Sequence, residues 1–271
     1  PMTMIAMLNN MSPQDVINHL GMLKKHGCMD HRDVKKLIID KLEEAKTGER
    51  VHTLKTKVAA ERSGADKEIT EVLESVADIR VRDRGRITRP TAIFVDKSGS
   101  MHNAIEVGKN VASIASAIAD VDLFVYAFDE MARKIKSDGV ELSDWEEAFK
   151  GIKANGGTSI GSALRMLKNS EEYVETIIII TDEGENRGPY FVDEYESYCE
   201  ELNVKPTVII VRVDSDLEHV CKQCVKEGIE VSAYKFSGDY YALEDLIPLL
   251  QKPSMVELLE QIMEYPLPER K

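Results

Sequence analysis

Three short segments carry side chains that could hold a metal ion. Asp96-Lys97-Ser98-Gly99-Ser100 presents a carboxylate and two hydroxyls at every second residue, and Gly99 permits a turn tight enough for them to converge. Asn155-Gly156-Gly157-Thr158 presents a hydroxyl, and Ile179-Ile180-Thr181-Asp182 ends an apolar run in a carboxylate. Asp96, Ser98, Ser100, Thr158 and Asp182 offer only oxygen, with no imidazole or thiolate. Such a set suits a hard cation in octahedral geometry: Mg²⁺, at about 2.0–2.1 Å from each oxygen, or Mn²⁺ in its place. Where hydroxyls ligate directly and carboxylates act through water, the ion keeps much of its charge and seeks an acidic sixth ligand. The expected function is therefore recognition of a partner Glu or Asp, and not catalysis.

Two enzyme readings compete. Gly157-Thr158-Ser159-Ile160-Gly161 matches the G-x-S-x-G of serine hydrolases, with His219 downstream. That motif needs a strand directly before it, whereas Phe149–Asn155 reads as a helix end and turn. A Mg²⁺-dependent phosphate-ester hydrolase could use Asp96 and Asp182, but there is no G-x-x-x-x-G-K-[ST] loop and no second acid close to Asp96. His102 reads as a solvated helix start. Cys221-Lys222-Gln223-Cys224 is a lone C-x-x-C, and its helical spacing with Val220 and Val225 favours packing over zinc or redox chemistry. Asp129, Glu130 and Glu183 are expected near the metal edge, either tuning it or as ordinary loop acids. Lys97, pointing away from its neighbours, receives no role.

The elements needed to position these loops are legible. Short apolar runs rich in β-branched and aromatic residues predict strands at Thr91–Asp96, Val121–Phe128, Thr176–Thr181, Thr207–Val213 and Val231–Phe236. Met131–Lys136 is a candidate edge strand hairpinned to the second. Helices are expected near 103–119, 143–152, 159–169, 190–202, 217–227 and 240–250. Alternating strand and helix predict a doubly wound α/β domain over 88–250, with a mostly parallel six-stranded sheet. Ligands of such sheets bind beyond the carboxyl ends of the strands, where all three loops would lie.

Residues 1–87 read as an all-helical segment. Ser12-Pro13-Gln14-Asp15 starts one helix, with Val16, Leu20 and Leu23 on one face and Gly27 at its end. Asp30 can cap the next, striped by Val34, Leu37, Ile38 and Leu42. Further helices are expected over 50–62 and 66–77, the last carrying Ile69, Val72, Leu73 and Val76. The Arg-rich stretch 79–90 reads as a linker or edge strand, with a phosphate-binding strip as the sharper alternative. Residues 251–271 form a tail with one amphipathic helix between Pro253 and Pro266.

The net charge of −13 is unevenly spread: residues 1–90 carry 17 Lys and Arg against 14 Asp and Glu, the remainder 18 against 34. An acidic domain is a poor nonspecific binder of nucleic acid, so any RNA contact is expected in the first part. There is no apolar run of about 18 residues and the first residues lack a signal-peptide pattern, so no membrane association is expected. Four sparse cysteines fit a reducing, cytoplasmic setting. The start at Pro1 is expected to lie inside a longer protein.

Asp96-x-Ser98-x-Ser100, Thr158 after Gly-Gly and Asp182 after an apolar strand resemble the metal-ion-dependent adhesion site of von Willebrand factor A-type domains. A narrower resemblance adds Ile5–Met11 before a run of helices, Thr91–Met101, Tyr126–Met131, Gly156-Gly157-Thr158 and Thr181-Asp182-Glu183. Together these look like the C-terminal half of the Ro autoantigen (TROVE) family. The resemblance implies an A-type domain joined to a ring of helical repeats that binds small noncoding RNAs, including Y RNAs, and the ends of misfolded RNAs. Residues 1–88 supply only the last part of such a ring, so RNA binding is expected of the full parent protein.

Overall fold

The computed structural model describes residues 2–46, 56, 59, 66–253 and 255–265. They form two compact units: the helices before Gly85 together with Asp239–Glu244, and a second running from Arg86 to Gly238 and from Asp245 onward.

The first unit contains α1 (Met2–Asn9), α2 (Pro13–Lys25), α3 (Arg32–Glu44) and α4 (Lys67–Arg84). Helix α2 opens with a reciprocal capping box, Ser12 Oγ accepting from the Asp15 amide and the Asp15 carboxylate from the Ser12 amide. It stops before Gly27, whose φ of 70° breaks the helix. Val16, Leu20 and Leu23 meet Val34, Ile38 and Leu42 of α3 and Ile69, Leu73 and Val76 of α4 in one core. Asp30 does not cap α3; it belongs to a 3₁₀ turn over Cys28–Asp30, and His31 takes the cap position. The helix expected over 50–62 lies, apart from residues 56 and 59, outside the described residues.

Helix α4 runs seven residues past the expected end at 77. The alternating arginines of 79–84 are good helix formers, and no Gly or Pro interrupts them before Gly85. The linker or edge-strand reading survives only at Ile87, which forms one parallel bridge to Ala119. Arg89 is buried and its guanidinium donates to the Lys252 carbonyl, so it is no part of a surface strip.

The second unit is built on β1 (Thr91–Asp96), α5 (His102–Ile118), β2 (Leu123–Phe128), β3 (Ala132–Ile135), α6 (Leu142–Ala148), α7 (Ile160–Asn169), β4 (Thr176–Thr181), α8 (Phe191–Leu202), β5 (Thr207–Arg212), α9 (His219–Lys226) and β6 (Val231–Lys235). The strands lie in the order β3-β2-β1-β4-β5-β6, all parallel except β3, which pairs antiparallel with β2. Strands β1, β4 and β5 are buried along their whole length, as expected of a parallel sheet covered on both faces. Ala92, Phe94, Ile177, Ile179, Val208 and Ile210 face a core closed by α7, α8 and α9. The alternate residues face the other side, where α5 lies over β1, β2 and β4.

One expected helix differs. Residues 240–250 form a 3₁₀ segment, Tyr240–Leu246, followed by α10 (Ile247–Leu250). Pro248 lacks an amide hydrogen and its ring would clash with the carbonyl four residues earlier, so a continuous α-helix cannot pass through it. The tail carries α11 (Met255–Glu264), with Leu258, Leu259, Ile262 and Met263 exposed.

The seating of α5 depends on Gly108. A Cβ there would lie 2.6 and 2.7 Å from the two methyl carbons of Val95 on β1. These belong to a stiff, buried side chain with nowhere to swing. Gly108→Ala is expected to lose about 1–2 kcal/mol despite its better helix propensity, measured by urea denaturation; an equal or higher midpoint would refute this account of the packing.

Candidate functional site

The sheet order reverses at β1: the chain first moves to β2 on one side and later to β4 on the other. In open α/β sheets such a switch point, beyond the carboxyl ends of the strands, here β1 and β4, is where ligands bind. Asp96 is the last residue of β1, and Asp182 directly follows β4. Asp96 is fully buried. Its Oδ1 accepts from the Ser98 amide at 2.8 Å, its Oδ2 accepts from Thr181 Oγ1 at 2.7 Å, and the Ser98 side chain also bonds to it. Asp182 Oδ1 accepts from the Gly184 amide at 2.8 Å, which fixes the turn after β4.

Backbone hydrogen bonds lace the three loops together. The Gly99 amide donates to the Gly156 carbonyl at 3.2 Å, and the Asn155 amide to the Lys97 carbonyl at 2.7 Å. The Thr158 amide donates to Asn186 Oδ1 at 3.1 Å, while the Thr158 carbonyl accepts from the amides of Asn186 and Arg187 at 3.0 and 2.9 Å. The loops bearing Asp96, Ser98, Ser100, Thr158 and Asp182 are therefore bonded side by side at one edge. Ser98 and Thr158 are buried, Asp182 is half-buried, and Ser100 is exposed in the turn where the Met101 amide bonds the Ser98 carbonyl.

Burial pushes the Asp96 carboxyl up to about 6, helped by the nearby charge of Asp182 and opposed by the bonds from Thr181 and Ser98. A desolvated carboxylate beside a second acid is relieved by a cation. No group of three or more His, Cys, Asp or Glu able to hold a metal occurs among the described residues. An ion at this edge would have to draw on hydroxyl oxygens, and two carboxylates with three hydroxyls fit a hard divalent cation.

Several neighbours were not visible as partners in the sequence. Lys97 pairs with Asp129, whose side chain lies against Gly156. Burial alone would raise the Asp129 carboxyl, but the bond and charge of Lys97 hold it below the usual carboxylate range. The Asp129 carbonyl receives the Ser159 amide at 2.8 Å, so this acid braces the Thr158 loop. Glu130 is exposed and bridges to Arg187 at 3.6 Å. Glu183 neither faces that edge nor lies in solvent. With φ at 64° it turns inward, fully buried, to meet Arg212 Nε and Nη2 at 2.8 and 2.7 Å and the Cys221 amide at 2.9 Å. The signal for this pair was the arginine closing the apolar run of β5, which needs an acid once buried.

Glu185 was missed entirely. Its carboxylate accepts from the amides of Ile160 and Gly161 at the start of α7 and of Phe191 at the start of α8, all within 2.8–3.1 Å. Burial pushes its carboxyl up to about 7, against the pull of these donors. Ser159, the candidate hydrolase serine, is fully buried and donates to the Pro189 carbonyl at 2.7 Å, and no strand leads into it. His102 is exposed at the start of α5. Cys224 packs with Val220 in the core and burial drives its thiol to about 12, whereas Val225 is 65% exposed and leaves that face.

The sheet order and the flanking helices define a von Willebrand factor A-type fold. No protein-family profile matches this sequence, and no curated protein matches it. Among solved structures, the crystal structure of the Ro (RSR) protein of Deinococcus radiodurans matches at a TM-score of 0.55 and 16% identity, over 86% of this chain and 52% of that one. A von Willebrand factor type A structure from Catenulispora acidiphila matches at 0.44 and 20% identity, over 61% of this chain and 42% of that one. The VWA domain of SpRpn10 matches at 0.40 and 13%, over 60% and 95%. The chain spans about half the length of the Ro protein it resembles.

Two measurements check this account of the site's supports. Arg212→Met leaves Glu183 buried without its counter-charge and is expected to cost about 3–5 kcal/mol in denaturant unfolding; a loss below about 1 kcal/mol would show that the pair is solvated. For Glu185, the folded pKa of about 7 lies above the unfolded value near 4.5. The folded state therefore binds the extra proton, and this group's contribution falls as pH rises between those values. Glu185→Gln should flatten the decline of Tm over that window, and an unchanged slope would count against the assignment.

Proposed function

We propose that the A-type domain binds Mg²⁺ or Mn²⁺ through Asp96, Ser98, Ser100, Thr158 and Asp182, and that a Glu or Asp of a partner protein completes the shell. The observation that supports this most directly is the buried Asp96 carboxylate at the switch point, on a loop bonded to that of Thr158 and close to Asp182. Each of the chain's own groups has a part. Thr181 and the Ser98 amide orient Asp96, the Gly184 amide orients Asp182, and Asn186 fixes the backbone of Thr158. Neutral hydroxyls leave a bound ion electrophilic, which favours an acidic ligand over water.

Binding is a better reading than hydrolysis. Ser159 lacks the exposed hydroxyl and preceding strand of a nucleophile elbow, and phosphate-ester chemistry finds no imidazole in the three loops. The setting we propose is a cytoplasmic Ro-like ribonucleoprotein. All four cysteines are free thiols, and no described helix is long and apolar enough to cross a membrane. Small noncoding RNA would be held by helical repeats of the kind that the resemblance to Ro proteins implies, of which the described helices before Gly85 would be a part.

Titration with Mn²⁺ followed by electron paramagnetic resonance, and with Mg²⁺ by thermal shift, tests the site. At a hundredfold excess over Kd the ion should stabilise the native chain by about 2.7 kcal/mol. Asp96→Ala should remove that gain while leaving the far-ultraviolet circular dichroism unchanged. Undiminished metal affinity in the variant, or turnover of phosphate or acyl esters by the native chain, would overturn the proposal.

A further inference from the structure

Away from the metal edge, α8 and α9 leave a groove. Helix α8 has 12 residues and α9 only 8, so α8 is longer by about 6 Å at 1.5 Å per residue. Helix α9 stops at Gly228, whose φ of 72° reverses the chain into β6. The last turn of α8 therefore faces a cavity of about 910 Å³, where Pro206 precedes β5 and Val231 begins β6. These are the amino ends of the strands, so the groove lies at the opposite edge of the sheet from Asp96.

Its floor is apolar: Tyr195 and Ile229 are buried, Cys199 and Val231 half-buried, and Val225 stands 65% exposed at one wall. Its rim is acidic, with Glu196, Glu200, Glu227 and Glu230 against Lys205 alone. Glu227 is met by Lys226 at 3.0 Å and Glu230 by Lys252 at 3.3 Å. Glu196 and Glu200 are exposed and enter no ion pair among the described residues. They stand four residues apart on one helix, a like-charge spacing that weakens an isolated helix by a few tenths of a kcal/mol. A cation between them reverses that repulsion. A groove of this volume with an apolar floor and a polar rim has the make-up of a recognition site.

We infer that the α8–α9 groove binds a short basic segment of another protein, seating one apolar side chain on Tyr195, Cys199 and Ile229 and placing Lys or Arg over Glu196 and Glu200. An acidic segment is repelled by the rim, and nucleic acid by the same charges. The long stems of Lys and Arg can lie along the apolar wall at Val225 while their heads reach the carboxylates. This goes beyond the metal-dependent reading and does not rest on it, since none of these residues lies in the three metal loops.

The test uses the full chain and a fluorescein-labelled peptide of alternating leucine and arginine, with a peptide carrying glutamate for arginine as control. Fluorescence anisotropy should show binding of the arginine peptide alone. Binding should persist in chelator and weaken as ionic strength rises from about 0.05 to 0.5 M. Glu196→Lys with Glu200→Lys should weaken it about tenfold or more, with circular dichroism unchanged, while Asp96→Ala should leave it intact. Bound peptide should slow alkylation of Cys199, read by mass spectrometry of the native chain. Equal binding of the glutamate peptide, undiminished binding by the double variant, or unprotected Cys199 would overturn the inference.

Discussion

The second unit is organised around one expensive placement: the Asp96 carboxylate, buried at the end of a central strand and next to another acid. Hydrogen bonds from Thr181 and Ser98 meet part of that cost; the Ser98 amide comes from the turn directly after β1, and Thr181 is within reach because β1 and β4 run parallel in register and end at the same edge. Everything else at the edge follows from keeping those donors in place. The Gly99–Gly156 and Lys97–Asn155 backbone bonds hold the second loop against the first, and Asn186 holds the second against the third. The arrangement is oxygen-rich and poor in imidazole, which is the donor chemistry that the proposed hard ion would call for.

Much of this was legible in the sequence because burial on both faces writes itself into composition. β1 and β4 have the bounds that their β-branched runs imply, and the other long strands differ by one or two residues at an end. The three loops could be placed at one edge by counting direction changes along the chain. Which side chains pair with a distant partner is harder to read: the arginine closing β5 calls for an acid but does not say which one. Glu183 looks like any loop acid until Arg212, 29 residues on, is seen beside it. Glu185 finds three amide donors that belong to two different helices. Residues 79–84 depart from the sequence pattern for another reason: alternating arginines mimic the two-residue period of a strand, while helix propensity and the absence of a breaker decide the outcome.

The likeness to the Ro protein of Deinococcus radiodurans covers more of this chain than the sheet-bearing unit alone can supply. It speaks to fold, at 16% identity, and leaves function to the chemistry of the site. The uneven charge gives that chemistry a direction. With acids concentrated after residue 90, the sheet-bearing unit presents a surface that a polyanion avoids and a cation or a basic chain approaches.

Glu183 also has a mechanical meaning. Its two oxygens reach different elements, one to the end of β5 and the other to the start of α9, while its own backbone is continuous with Asp182. The peptide between residues 182 and 183 is thereby clamped, one side chain turned outward and the next turned in. Any swing of Asp182 would have to carry a buried ion pair with it, a constraint that a loop bonded only through its own backbone does not have. A constraint of that sort lets a site select by geometry, since a ligand of the wrong size would have to move the ion pair as well.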